Sequence, residues 1–230
     1  MIFRVGIENN DEGFRTIAWA LEHPGCFSYG KEAAEAVANF PTAVREYSMW
    51  IAGHEPSWII RDQVEVRAEE TWTVYSIDDS FDRAESGYDV SAWFQHDWKP
   101  LAGDEITRAL KLLAWSRSDL LALVGGLSPE QWTIKKEGER WDVTGIVKHV
   151  GGAEWWYLDR LGLAFPRQDV PKGPLERIEK VRARLLEILP GLEGSRQVVG
   201  VDGEFWSPRK VLRRALWHER DHILHIRKLL

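Results

Sequence analysis

Apolar and polar positions along the chain change rhythm near its middle. Residues 2–7 (IFRVGI), 15–21 (RTIAWAL) and 26–29 (CFSY) are short apolar runs separated by NNDEG and HPG, which is turn chemistry, so three strands are expected. From Lys31 the stretch KEAAEAVANF favours helix, with Ala33, Val37 and Phe40 at helical spacing. The pattern continues towards Ile51, with Pro41 expected to kink or interrupt it. Residues 64–77 (VEVRAEETWTVYSI) gather β-branched and aromatic residues, as a further strand or hairpin does. Residues 1–77 are therefore expected to form a small α+β domain of three or four strands and a helix. Residues 78–100 are acidic and hold no sustained period, which predicts a linker. Its aromatic residues, Phe81, Tyr88, Trp93, Phe94 and Trp98, predict that it packs on a neighbour. From 101 to 230 the rhythm is helical, over 104–124, 142–161, 173–189 and 208–230, interrupted by GGLSPEQW, FPRQDVPKG and PGLEG. Four helices of this length predict an all-α four-helix bundle, with VVGVDGEFW (198–206) as an extended excursion before the last helix.

Composition narrows the function classes. A chain of 230 residues, 44% hydrophobic and with 13 Trp, has ample material for one large or two small cores. A net charge of -6 argues against a nucleic-acid surface, which needs clustered positive charge; the basic run from Arg209 to Arg214 is expected to be a solvated helix face. The single cysteine, Cys26, cannot form an internal disulfide and is expected to be a small buried apolar residue. The start MIFRVGIENNDEGF turns polar too early for a signal peptide, and no stretch approaches membrane-spanning length, so a cytoplasmic protein without a membrane partner is expected.

Candidate chemistry lies on the last helix. The stretch LWHERDHILHI carries His218, His222 and His225, three of the 7 histidines. Ser207 and Pro208 make a sound helix start, because the hydroxyl accepts an orphan amide and proline lacks one. Val211, Ala215, His218, His222, His225 and Leu229 then fall within an arc of roughly 80°. His218 and His222 are thus expected to face the interior, projecting together at i and i+4. On the second long helix, Asp142 is the expected N-cap and His149 shares a face with Gly145 and Gly152. Glycine inside a helix costs about 1 kcal/mol relative to alanine, so these glycines should permit either close helix approach or a cavity beside His149. Imidazole is the commonest nitrogen ligand for Zn, Ni, Cu and Fe, yet the pattern alone leaves metal ligands and packed core histidines evenly matched.

Residues 104–230 resemble the DinB-like family of metal-binding four-helix bundles, marked by a histidine on the second helix and an H-x-x-x-H pair on the last. The matching positions are His149, in IVKHVGGAEWW, with His218 and His222, in WHERDHILHI. The resemblance implies one divalent ion at these three residues, with Zn, Ni, Fe and Mn undistinguished by the histidine set. It gives His225 no metal role; His225 is expected to line the pocket, with Gly145, Gly152 and Trp156. Trp155, Trp206 and Trp217 are further aromatic candidates near the site. Three neutral imidazoles leave coordination positions open, as catalytic sites do, and an ion held so lowers the pKa of a bound water or thiol. Some DinB-like proteins are metal-dependent thiol transferases, which implies a low-molecular-weight thiol cosubstrate and a small electrophile. Glu219 is the candidate base or imidazole-orienting acid, with a buried salt bridge as its alternative role; Glu154 is expected to be structural.

Residues 1–77 resemble HicB-like antitoxin domains through HPGCFSYG followed by KEAAEAVANF. That family binds small toxins and often carries a DNA-binding tail, whose place is taken here by the helical region. The resemblance implies an interaction or sensing module for a protein partner. Two functions are therefore expected to compete: a metal-dependent transferase or hydrolase, and a non-enzymatic binding or regulatory protein in which the metal is structural or vestigial. The aromatic linker is compatible with a homodimer.

Overall fold

The computed structural model describes residues 1–10, 15–60 and 63–230. Part of the NNDEG turn lies outside the described residues. The chain divides into two compact units: residues 1–99 with 198–206, and residues 100–197 with 207–230.

The first unit is built on a sheet. Strands β1 (Ile2–Asn9), β2 (Thr16–Ala20) and β3 (Phe27–Gly30) form an antiparallel meander, followed by helix α1 (Ala33–His54) and by β4 (Glu65–Thr73). The sheet order is β3-β2-β1-β4, with β4 parallel to β1. Helix α1 packs through Ala36, Phe40, Val44, Tyr47 and Ile51, all buried at helical spacing. It runs through Pro41 without interruption. Burial of this stripe offsets the one backbone hydrogen bond that proline removes.

The segment expected to be a linker is folded into this unit. Strands β5 (Tyr75–Ile77), β6 (Arg83–Ala84) and β7 (Tyr88–Val90) form a second sheet in the order β6-β5-β7. Phe94 is wholly buried against Gly6 of β1, where a Cβ would lie 2.7 Å from its ring. Ala92 N donates to Glu8 and Trp72 Nε1 donates to the Val90 carbonyl. The contacts carry the boundary to Lys99, because the segment's aromatics satisfy a core that short-range periodicity does not register. The 198–206 excursion is a hairpin, β8 (Val199–Val201) with β9 (Glu204–Trp206), and it also belongs to the first unit.

The second unit is mostly helical: α2 (Gly103–Gly125), the single turn α3 (Pro129–Trp132), α4 (Val143–Arg160), α5 (Pro174–Ile188) and α6 (Pro208–Leu229). Helix α4 packs on α5 and α6, and α2 packs on α6. Leu120, Val124, Val143, Ile146, Val147, Val150, Ile178, Ile223, Ile226 and Leu229 close an apolar core, which drives the packing. Two glycines of α4 are explained by neighbours: a Cβ on Gly151 would meet Arg177 and Ile178 of α5, and one on Gly145 would meet Trp141. The basic start of α6 is not a solvated face. Arg209, Lys210 and Arg213 are buried, and Arg209 forks onto both oxygens of Glu105 at 2.6 and 2.7 Å. An acid one hundred residues away provides the partner, which no local pattern reveals.

Candidate metal centre

Two local features of sequence set the helices that carry the site. Asp142 caps α4 by accepting from Gly145 N at 2.7 Å, and Ser207 caps α6 by accepting from Lys210 N at 3.2 Å, with Pro208 in its first turn. Packing of α4 on α6 then brings His149 to His218 and His222. His149 Nε2 lies 3.0 Å from His218 Nε2, which lies 3.1 Å from His222 Nε2, and the potential ligand atoms of all three lie within 4.8 Å of one another. His218 and His222 keep only 6% and 9% of their surface exposed, while His149 is half-buried.

Electrostatics favours neutral rings. Burial, then the positive charge of Arg140, lowers the pKa of His149. Burial lowers that of His218 well below the ordinary value, with further contributions from His222, His149 and Arg214. Neutral imidazoles present lone pairs, and the donor set suits a divalent ion: separations of 3.0 and 3.1 Å fit the edges of a coordination polyhedron with metal–nitrogen bonds of about 2.0–2.1 Å. Trp141 stacks on the His149 ring at 4.4 Å and 28°, in the space left by the absent side chain of Gly145.

A cavity of about 510 Å³ opens onto the cluster, lined by His149, Gly152, Ala153, Trp156, Tyr157, Arg214, Trp217 and His218. Gly152 and Trp156 are among these lining residues. Gly145 and His225 are not among the lining residues: Gly145 accommodates Trp141, and His225 Nε2 pairs with Glu139 at 2.8 Å while its ring stays 5.7 Å from that of His222. Of the further tryptophans, Trp217 lines the cavity, Trp155 donates to the Phe165 carbonyl, and Trp206 is buried in the first unit.

Glu219 is committed elsewhere, as its salt-bridge alternative requires. Its Oε1 accepts from Arg117 Nε at 2.6 Å and its Oε2 from Arg182 Nη2 at 2.7 Å. Arg182 also engages Glu154, so α2, α4, α5 and α6 each contribute one charge to a buried quartet. Burial alone would raise the Glu219 pKa, but Arg182 and Arg117 lower it overall, which makes it a poor base. Sequence reasoning missed Trp141, Ala153, Tyr157 and Arg214. Arg214 carried a signal, lying four residues before His218 on the same helix; Trp141 carried none, because it precedes the helix cap and so has no helical register.

Fold and site together define a helical unit with three convergent imidazoles suited to a divalent cation. The chain belongs to the DinB superfamily, whose family model matches residues 112–226, a span that includes His149, His218 and His222. Comparison with curated proteins and with solved structures found no significant match.

Proposed function

We propose that this protein binds one divalent metal ion through His149, His218 and His222 and acts as an enzyme on a small molecule. The observation that supports the reading best is the convergence of three Nε2 atoms beside an accessible cavity. Structural sites are normally closed by four protein ligands, whereas three histidines leave positions for exogenous ligands. When bound, the ion supplies a Lewis-acid charge that lowers the pKa of a thiol or water. No carboxylate lines the cavity among the described residues, so nucleophile activation there draws on that charge and not on a carboxylate base. Trp141 orients the His149 ring, Gly152 and Ala153 leave room, and Trp156 and Trp217 add apolar surface to the cavity wall. The reaction class is transfer of a low-molecular-weight thiol to a small electrophile, or hydrolysis of that electrophile.

Two structural readings accompany this one. The four long helices form a DinB-like four-helix bundle, a reading supported by the shared core and the charge quartet. The first unit is a degenerate HicB-like module for a protein partner, a reading supported by the β1-β2-β3-α1-β4 order, in which HPGCFSYG forms the β2–β3 turn and β3 and leads into α1.

Elemental analysis of the purified protein tests the metal reading. The expected result is about one divalent ion per chain, lost from His149→Ala and His218→Ala variants that retain their helical circular dichroism. A parent protein that takes up no metal after incubation with Zn or Ni would leave a binding protein with core histidines.

A further inference from the structure

His225 is the histidine of α6 that stays outside the three-imidazole cluster, and its partner explains why. Its Nε2 lies 2.8 Å from Glu139 Oε2. A carboxylate accepts, so this ring nitrogen donates and keeps no lone pair for a cation. Glu139 belongs to the connection between α3 and α4. It lies in a turn that Glu139 N closes by donating to Lys136 O at 3.1 Å, with Gly138 at a φ of 82° that glycine adopts without strain. Lys136 Nζ donates to the Lys228 carbonyl, a last-turn acceptor of the kind that helix geometry leaves without an intrahelical donor. The connection is thus tied twice to one face of α6, Lys136 and Glu139 meeting Lys228 and His225. Two residues beyond Glu139, Trp141 stacks on the His149 ring, with the Arg140 guanidinium 4.6 Å from the indole centre.

We infer that the His225–Glu139 hydrogen bond positions Trp141 against His149, and thereby sets the orientation in which His149 offers its Nε2 to a metal. His225 is a positioning residue in this scheme and not a ligand. The route is short, because only Arg140 separates Glu139 from Trp141. Planar peptides hold consecutive Cα atoms about 3.8 Å apart, so release of the Glu139 side chain frees the backbone on which Trp141 sits. Trp141 precedes the Asp142 cap, and α4 itself therefore does not fix its conformation. The consequence for the metal rests on the proposed three-histidine site, whereas the positioning of Trp141 does not.

The test uses the full-length protein with the variants Glu139→Ala, His225→Phe and His225→Gln, the last because a glutamine amide still donates to the carboxylate. In chelator-stripped samples, proton–carbon correlation spectra report the His149 ring protons, assigned by their disappearance in His149→Ala. The stacked indole is expected to shift them upfield, a shift lost in Glu139→Ala and His225→Phe and kept in His225→Gln. Zn affinity, read by competition with a chromophoric chelator, should fall about tenfold in the first two variants and stay within about twofold in the third. In a Trp141→Ala background, Glu139→Ala should cost no further affinity, whereas a merely structural role would add its own loss. An unmoved His149 shift in Glu139→Ala would overturn the positioning. Equal loss of Zn affinity in His225→Gln and His225→Phe would make His225 a ligand and overturn the inference as well. A shift lost with no change in Zn affinity would overturn the link to the metal. Parent protein that takes up no Zn, with the shift still dependent on Glu139 and His225, sinks the metal reading alone.

Discussion

Gly145 and Trp141 show how a residue without functional atoms shapes the candidate site. A Cβ at position 145 would lie 2.8 Å from Trp141 Cβ, so Trp141 must move to accommodate it. Trp141 is stacked on His149, and the displacement passes to a ring that the site needs in place. Gly145→Ala is therefore expected to weaken Zn binding by about tenfold, within the range seen when groups that orient ligands are lost. Helix propensity works the other way, favouring alanine by about 1 kcal/mol, so thermal stability of the metal-free protein should not fall in parallel. Competition against a chromophoric chelator, run beside thermal unfolding, separates the two; unchanged affinity would show that the stack does not orient His149. The glycine was legible in sequence as an anomaly within a helix, but its reason was not, since Trp141 lies outside the helical register.

Among the elements, the four long helices of the second unit are tied by the Arg117, Glu154, Arg182 and Glu219 quartet. Each arginine also reaches a carbonyl: Arg182 Nη1 donates to Leu113 O at 2.6 Å, and Arg117 Nη1 donates to Ile178 O. Removing one partner from such a network leaves a buried charge uncompensated, at a cost of about 3–5 kcal/mol. Arg182→Met is expected to lose stability of that order, read as a lower urea midpoint at an unchanged slope; a loss below about 1 kcal/mol would show that the carboxylates find other partners. The sequence offered a structural role for Glu154 and a buried salt bridge as one of the two roles of Glu219, and both acids are paired in the quartet. Their arginines stayed invisible, because a guanidinium on an amphipathic helix reads as solvated until a partner helix brings a carboxylate to it. The same limit misassigned the buried basic start of α6.

At the scale of the molecule, pH acts through groups that folding buries. His149 and His218 have pKa values lowered from 6.5, so below that pH the unfolded chain takes up protons that the folded chain resists. Their contribution to stability is complete above about 6.5 and is lost as pH falls through the lowered folded values. Glu219 adds a second window, its contribution present above 4.5 and lost as pH falls through its lowered folded value. Thermal midpoints of metal-free protein are therefore expected to fall between about pH 7 and 5, before any carboxylate-driven loss; a flat profile there would contradict neutral buried rings. The 198–206 hairpin provides a second check. Glu204 is buried and accepts from Tyr88 and Ser91, more than a hundred residues earlier. Glu204→Ala should cost about 1–3 kcal/mol by leaving those hydroxyls without their acceptor, measurable by denaturant unfolding. A cost near zero would mean that water replaces the carboxylate.

By itself the sequence determined what short-range periodicity and capping encode: the strands of the first sheet, the four long helices to within a few residues, the Asp142 and Ser207 caps, and the shared inward face of His218 and His222. Local backbone preference and amphipathic burial act over one or two turns, and so leave their signature in consecutive residues. Tertiary structure decided the rest. It folded residues 78–99 into the first unit, brought His149 to the α6 pair, turned Glu219 from a candidate base into a salt-bridge member, and set Arg214 in the wall of the cavity. Each of these depends on which helix or strand meets which, and that choice is made by whole apolar faces seeking burial and buried charges seeking partners far along the chain.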